Sequence, residues 1–124
     1  MKSSCEYNYR WMEKDDLEFF EKEVLDCVKN PKNIAYVVEH KNDFIGVVIY
    51  NKNNNFINIV NIGFKDENVF EFIISEIKNK FDKIIKISIC EYDLKMQLLL
   101  KKLNFRAISI ENKYEETYYV FSSN

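Results

Sequence analysis

Apolar and polar positions recur at two different periods along this chain. Tyr7, Tyr9 and Trp11, with Cys5 before them, alternate with polar residues, the two-residue period of a half-buried strand. From Asp15 the period lengthens. Leu17, Phe20, Val24 and Cys27/Val28 share one face of a helix over 15–28, which Asp15 and Glu18 open as a capping box and Asn30-Pro31 closes. Three apolar runs then follow at 34–39, 44–50 and 56–62, joined by Lys41-Asn42-Asp43 and by 51–55. Both connections are rich in turn formers, so an antiparallel meander is predicted. A second amphipathic helix spans 68–81, with Phe70, Ile73, Ile74, Ile77 and Phe81 on its buried side. A strand follows at 84–90, then a short helix over 93–103 that buries Met96, Leu99, Leu100 and Leu103. Two last strands, 105–111 and 117–122, flank a turn at 112–116.

The order is β-α-β-β-β-α-β-α-β-β in one α/β (α+β) domain covering 1–124, with neither repeat nor linker. The strand–helix–strand unit in its middle requires a right-handed crossover, so 56–62 and 84–90 are predicted to be parallel neighbours. A mixed sheet with helices on both faces is the expected architecture. Asn61 or Gly63 is the expected site of a bulge where those two strands part.

Charge and cysteine usage narrow the function classes. A net charge of −2 and a pI near 5.5 do not fit a general nucleic-acid binder, which carries a basic face. Cys5, Cys27 and Cys90 are odd in number and lack metal-ligand spacing, which suits reduced cytoplasmic thiols and no metal site. The longest apolar run, 44–50, is too short to span a bilayer, and the N-terminus lacks the apolar core of a signal peptide. A soluble cytoplasmic protein is expected, with neither nucleic acid nor membrane as partner.

Chemistry concentrates where the third strand of the meander runs into the long helix. Unpaired N–H groups and the helix dipole make such a turn an anion site. Its residues are Lys65, Asp66, Glu67 and Asn68 rather than glycines. The preceding strand offers Asn58 and Asn61 but no acid. Candidate acids and bases lie elsewhere: Glu39 and His40 after the second strand, and Glu91, Tyr92 and Asp93 after the parallel strand. His40 reads as a solvated loop residue.

Two local patterns carry a resemblance. The segment Asp93-Leu-Lys-Met-Gln-Leu-Leu-Leu-Lys-Lys-Leu-Asn-Phe105 is similar to the helix-to-strand pattern Asn-x-x-Ala-x-x-Leu-Tyr-x-x-x-Gly-Phe of the GNAT superfamily of N-acetyltransferases. Leu99, Leu103 and Phe105 match; Asp93, Met96, Leu100 and Asn104 stand for the asparagine, alanine, tyrosine and glycine. Val60-Asn-Ile-Gly-Phe-Lys65, leading to Ile73-Ile74, resembles the family's strand and phosphate loop. There Lys65 takes the Arg/Gln position, Asn68 the first glycine and Phe70 the second small residue. With the element order, the likeness covers the chain from Tyr7 to Phe121.

The resemblance implies acetyl-CoA as cofactor. Val60 and Ile62 would line the pantetheine arm, Lys65, Asn68, Val69 and Phe70 would cradle the pyrophosphate, and Asp93, at the start of the next helix, would also contact the cofactor. It also implies an amine acceptor, either a small molecule or a peptide such as a protein N-terminus. Tyr92 and Glu39 are the candidates for proton transfer, because Leu100 occupies the position of the family's acidic tyrosine. Asp66 and Glu67 set carboxylates where phosphate charge must sit, and Asn68 with Glu71 forms a capping box. The alternative reading is a non-catalytic GNAT-fold module that has lost the cofactor. Such a module would bind a partner in the old cleft or form a homodimer through a sheet edge, with Tyr114, Tyr118, Tyr119 and Phe121 as an aromatic surface.

Overall fold

Lys41 and Asn42 both adopt positive φ (52° and 71°), and so do Tyr114 and Glu115 (53° and 63°). Paired left-handed residues make the tight hairpin turns that match strand twist, and they set the register of two hairpins. The structure, a computed structural model, describes residues 7–124. The strands are β1 (Asn8–Trp11), β2 (Ile34–His40), β3 (Asp43–Lys52), β4 (Phe56–Phe64), β5 (Ile84–Cys90), β6 (Arg106–Lys113) and β7 (Glu116–Ser122). The helices are α1 (Lys22–Val28), α2 (Glu67–Phe81) and α3 (Leu94–Lys102). The seven strands form one sheet in the order β1-β2-β3-β4-β5-β7-β6, antiparallel throughout except for β4 and β5.

Two apolar layers lie on opposite faces of that sheet. Alternate residues such as Val38, Val48, Ile57, Ile85 and Phe121 pack under Val69, Phe70, Ile73 and Ile77 of α2 and Leu99 and Leu100 of α3. The intervening residues Val37, Val47 and Ile49 pack with Val24 of α1. Helices thus cover both faces, as the patterning predicts. Gly46 explains how closely α2 lies: a Cβ there would meet Val69 Cγ1 at 2.8 Å and Ile73 Cδ1 at 3.2 Å.

Several local expectations are corrected. The helix over 15–28 is two pieces, a 3-10 helix at Lys14–Phe19 and then α1, with Phe20 extended between them. The capping pair is Glu13 with Asp16 rather than Asp15 with Glu18. The Glu13 amide donates to the Asp16 carboxylate at 2.7 Å, and Asp16 is drawn inward by Arg10. The cap of α2 is Asp66, whose Oδ1 accepts from the Val69 amide at 3.1 Å, and Asn68 lies inside the first turn. Asp66 has the extended φ of −152° that a cap needs, and it lies two residues past the end of β4, immediately before the helix. His40 ends β2, half-buried, with its ring edge-on to Tyr7 at 5.8 Å. Cys5, assigned to the first strand from sequence, lies outside the described residues. Asn104, at the position of the family's glycine, adopts the left-handed φ of 69° and lets the Phe105 amide close on the Leu100 carbonyl at 2.9 Å.

Candidate functional site

The site is built mainly from backbone. β4 and β5 pair in parallel through four positions, Phe56↔Ile84 to Ile59↔Ile87. Beyond Ile59, β4 stays with β3 as far as Phe64, while β5 stays with β7 as far as Cys90. The two strands therefore part into a slot. Its cause is a bulge: Tyr50 pairs with Ile59 and Ile49 with Asn61, so Val60 is the extra residue. The bulge sits at Val60, not at Asn61 or Gly63, and an inserted residue bends its own strand away from one neighbour. Val60 is 41% exposed, and Ile62 packs at the edge of the core.

The far wall of the slot is held by Gln97. Its buried side chain donates Nε2 to the carbonyls of Cys90 (3.3 Å) and Glu91 (3.0 Å), which ties the end of β5 to α3. Asp93 caps α3 through the Met96 amide at 3.2 Å. Tyr92 stands 78% exposed on the turn between them.

Above the slot lies the N-terminus of α2. The Val69 amide is taken by the Asp66 carboxylate, and the Phe70 amide bonds the Asp66 carbonyl at 3.2 Å. The Val69 and Phe70 side chains are buried in the core. The first-turn amides with no intrahelical partner are those of Glu67 and Asn68. Glu67 forms an ion pair with Lys102 from the end of α3, across the helix terminus. The Lys65 amide donates to Ile45 at 2.9 Å, so Lys65 closes the β3–β4 pair. It stands on the rim of a cavity of about 330 Å3 on the α1 side of the sheet, between Phe20, Phe44 and Gly63.

Glu39 serves a different cluster. Arg10 donates Nε to Glu39 at 2.9 Å and grips Asp16 with two nitrogens at 2.8 and 3.0 Å. Hydrogen bonds from Arg10 hold both carboxyls below their ordinary values of 4.5 and 3.8, and Asn8 adds a bond to Glu39. Both acids stay ionised and pin the 3-10 helix to β1 and β2. Sequence spacing did not reveal this cluster, Gln97 or Lys102, because each depends on contacts between elements far apart in the chain. Among the described residues no group of acids, histidines or cysteines could hold a metal, and no helix is long and apolar enough to cross a membrane.

No protein-family model matches the chain, and no curated protein matches it by sequence. Solved structures do match. The ribosomal-protein-S18-alanine N-acetyltransferase of Escherichia coli superposes with a TM-score of 0.75 at 10% identity, over 94% of this chain and 92% of that one. A Bacillus subtilis acetyltransferase in complex with CoA gives 0.74 at 15% identity, over 95% and 98%. NAA60 of Arabidopsis thaliana, in complex with a bisubstrate analogue, gives 0.73 at 13% identity, over 94% and 96%. The chain has the GNAT fold along almost its whole length.

Proposed function

We propose that this protein is an N-acyltransferase that uses acetyl-CoA and works through backbone geometry more than through acid and base side chains. The observation that carries this reading is the parting of β4 from β5 at the Val60 bulge. The two diverging edges expose N–H and C=O groups that an extended pantetheine-like arm can pair with, as an added strand does. The free amides of Glu67 and Asn68, with the Lys102 ammonium beside them, are the groups placed to hold a pyrophosphate. Acetyl-CoA, when bound, supplies an activated acyl thioester whose carbon bonds the amine nitrogen as the C–S bond breaks.

The chain's own residues position and polarise. Amides of β4 between Val60 and Ile62 hold the negative charge that grows on the acyl oxygen. Fixing amine and acyl group side by side removes most of the entropic barrier. The amine proton leaves through water, because Glu39 is held by Arg10. Tyr92, above the β5 wall, is the residue assigned to protonating the departing sulfur. Asp93 and Gln97 keep that wall in place.

One set of contacts favours the alternative of a cofactor-free GNAT-fold module. Asp66 and the Glu67–Lys102 pair already neutralise the α2 terminus from within. Thermal melts with and without CoA and acetyl-CoA separate the two readings. Ligand at about 100 times its dissociation constant stabilises by about 2.7 kcal/mol, a shift of several degrees in a domain of this size. Such a shift, with thiol release in the presence of an amine, is the expected result. No shift at millimolar cofactor overturns the enzyme reading. A shift without release from any amine in a broad panel leaves a cofactor-binding protein with no transferase activity.

A further inference from the structure

The two edges of the sheet are not alike. β1, at one end, is four residues long, and its Arg10 is committed to Asp16 and Glu39. β6, at the other end, is eight residues long and exposed at every position. Among the described strands only β7 pairs with it, so its outer N–H and C=O groups form a ladder open to another strand. Ile108 and Ile110 on it are 50% and 64% exposed, and the turn that follows carries Tyr114, at 87% the most exposed of the large apolar side chains described. Of the four C-terminal aromatics expected to form a contact surface, Phe121 belongs to the core and Tyr118 and Tyr119 are half-buried; Tyr114 alone is exposed.

We propose that β6 pairs with β6 of a second copy, antiparallel about a two-fold axis at Asn112, to make one continuous sheet. Such an axis requires one residue to face its own copy. Glu111 and Lys113 lie on one face of β6. Glu111 accepts from Ser88 Oγ at 2.9 Å, and the Lys113 ammonium stands 4.8 Å from the Tyr118 ring centre and 3.8 Å from Glu111. With the axis at Asn112, Glu111 faces the partner's Lys113, and Lys113 faces the partner's Glu111. Both side chains are about half exposed, which leaves them free to reach across. On the other face Ile110, beside Tyr119 of β7, comes against the partner's Tyr114. An axis one residue earlier, at Glu111, sets carboxylate against carboxylate, and like charges directly opposite are destabilising. An axis at Ile110 runs the partner across Ile108, the extra residue between the β7-paired Ala107 and Ser109, where the faces of the strand fall out of step. The contact uses neither the slot nor the α2 terminus, so it stands apart from the transferase reading.

Pairing along one edge buries less than the ~1,600 Å2 of a standard interface, so a micromolar dimer is expected. Sedimentation velocity of the full chain from about 5 to 500 μM should show monomer passing into dimer. Asn112→Cys reads the axis directly. Opposed Cα atoms lie about 4.5–5.5 Å apart, within disulfide range, so mild oxidation should link position 112 to itself, as peptide mapping by mass spectrometry reports. Ile110→Cys should not link to itself, since a four-residue offset sets its two copies about 13 Å apart. Glu111→Lys should weaken the dimer about ten-fold, and adding Lys113→Glu should restore it, because opposite charges again face one another. A chain that stays monomeric over the whole range overturns the proposal and leaves the edge to a strand from a different protein. Linkage at position 110 but not at 112 overturns the register, as does a charge swap that fails to restore what Glu111→Lys removed.

Discussion

Replacing Gly46 by alanine tests what holds α2 against the sheet. The new methyl would lie 2.8 Å from Val69 Cγ1, 3.2 Å from Ile73 Cδ1 and 3.4 Å from Val38 Cβ. All three neighbours are fully buried or nearly so, leaving little room to yield. Overpacking of this kind costs about 1–3 kcal/mol, because side chains leave their rotamers or the helix lifts. In a domain of 124 residues each kcal/mol corresponds to about 4 °C, so Gly46→Ala should melt about 4–12 °C lower. Val69→Ala removes the closest obstacle but leaves a void, and by itself should cost about 2 kcal/mol. The double variant should be less destabilised than the sum of the two, by at least ~1 kcal/mol, since the added methyl occupies space vacated by the removed ones. Thermal and denaturant melts of all four proteins close the cycle. A Gly46→Ala variant melting within 1 °C or so of the parent, or strict additivity in the double variant, would refute the close approach of α2 to β3.

Other perturbations follow from the same contacts. Asp16→Asn should destabilise by about 2–3 kcal/mol, below the 3–5 of a fully buried pair because the Arg10 side chain is 28% exposed. The pH dependence has a definite sign. Asp16 and Glu39 take up protons less readily folded than unfolded, so their contribution is full above the ordinary values of 3.8 and 4.5 and is lost as pH falls through the lower folded-state values. Melts between pH 6 and pH 3 or so should therefore show a shallower acid loss for Asp16→Asn than for the parent. Asp66→Ala should cost about 1 kcal/mol as the loss of a cap, whereas Asn68→Ala should stay within about 0.5 kcal/mol in the same melts. The Tyr50 hydroxyl is buried with no hydrogen-bond partner among the described residues, and burial pushes its pKa up to about 12. Tyr50→Phe should thus raise stability by about 1 kcal/mol, or roughly 4 °C. If Lys102 helps to hold a pyrophosphate, Glu67→Gln frees it and should tighten CoA binding about two- to five-fold by calorimetry. Unchanged affinity would place the ion pair clear of the phosphates.

The order of elements was legible from the chain alone because apolar period and turn chemistry are local properties. Ile85–Ile89 alternates apolar with polar, the 68–81 pattern repeats at helical spacing, and Lys41-Asn42 adopts the positive φ of a tight hairpin. The crossover between strands near residues 60 and 87 forced their parallel pairing, and the observed register confirms it. What stayed hidden depends on partners distant in sequence. Which residue caps the helix after β4 turned on where the strand ends, so Asp66 rather than Asn68 took that role. The bulge fell at Val60 because its position reflects how β3 and β4 count against each other, and no single residue type announces that count. Arg10 draws Asp16 inward and thereby breaks a helix that periodicity alone would have continued. Glu39 became a structural anion for the same reason. Composition and spacing set the sheet and its layers. Tertiary contacts alone decided which charges remain free beside the slot, because a carboxylate's chemistry is fixed by the cation that reaches it first.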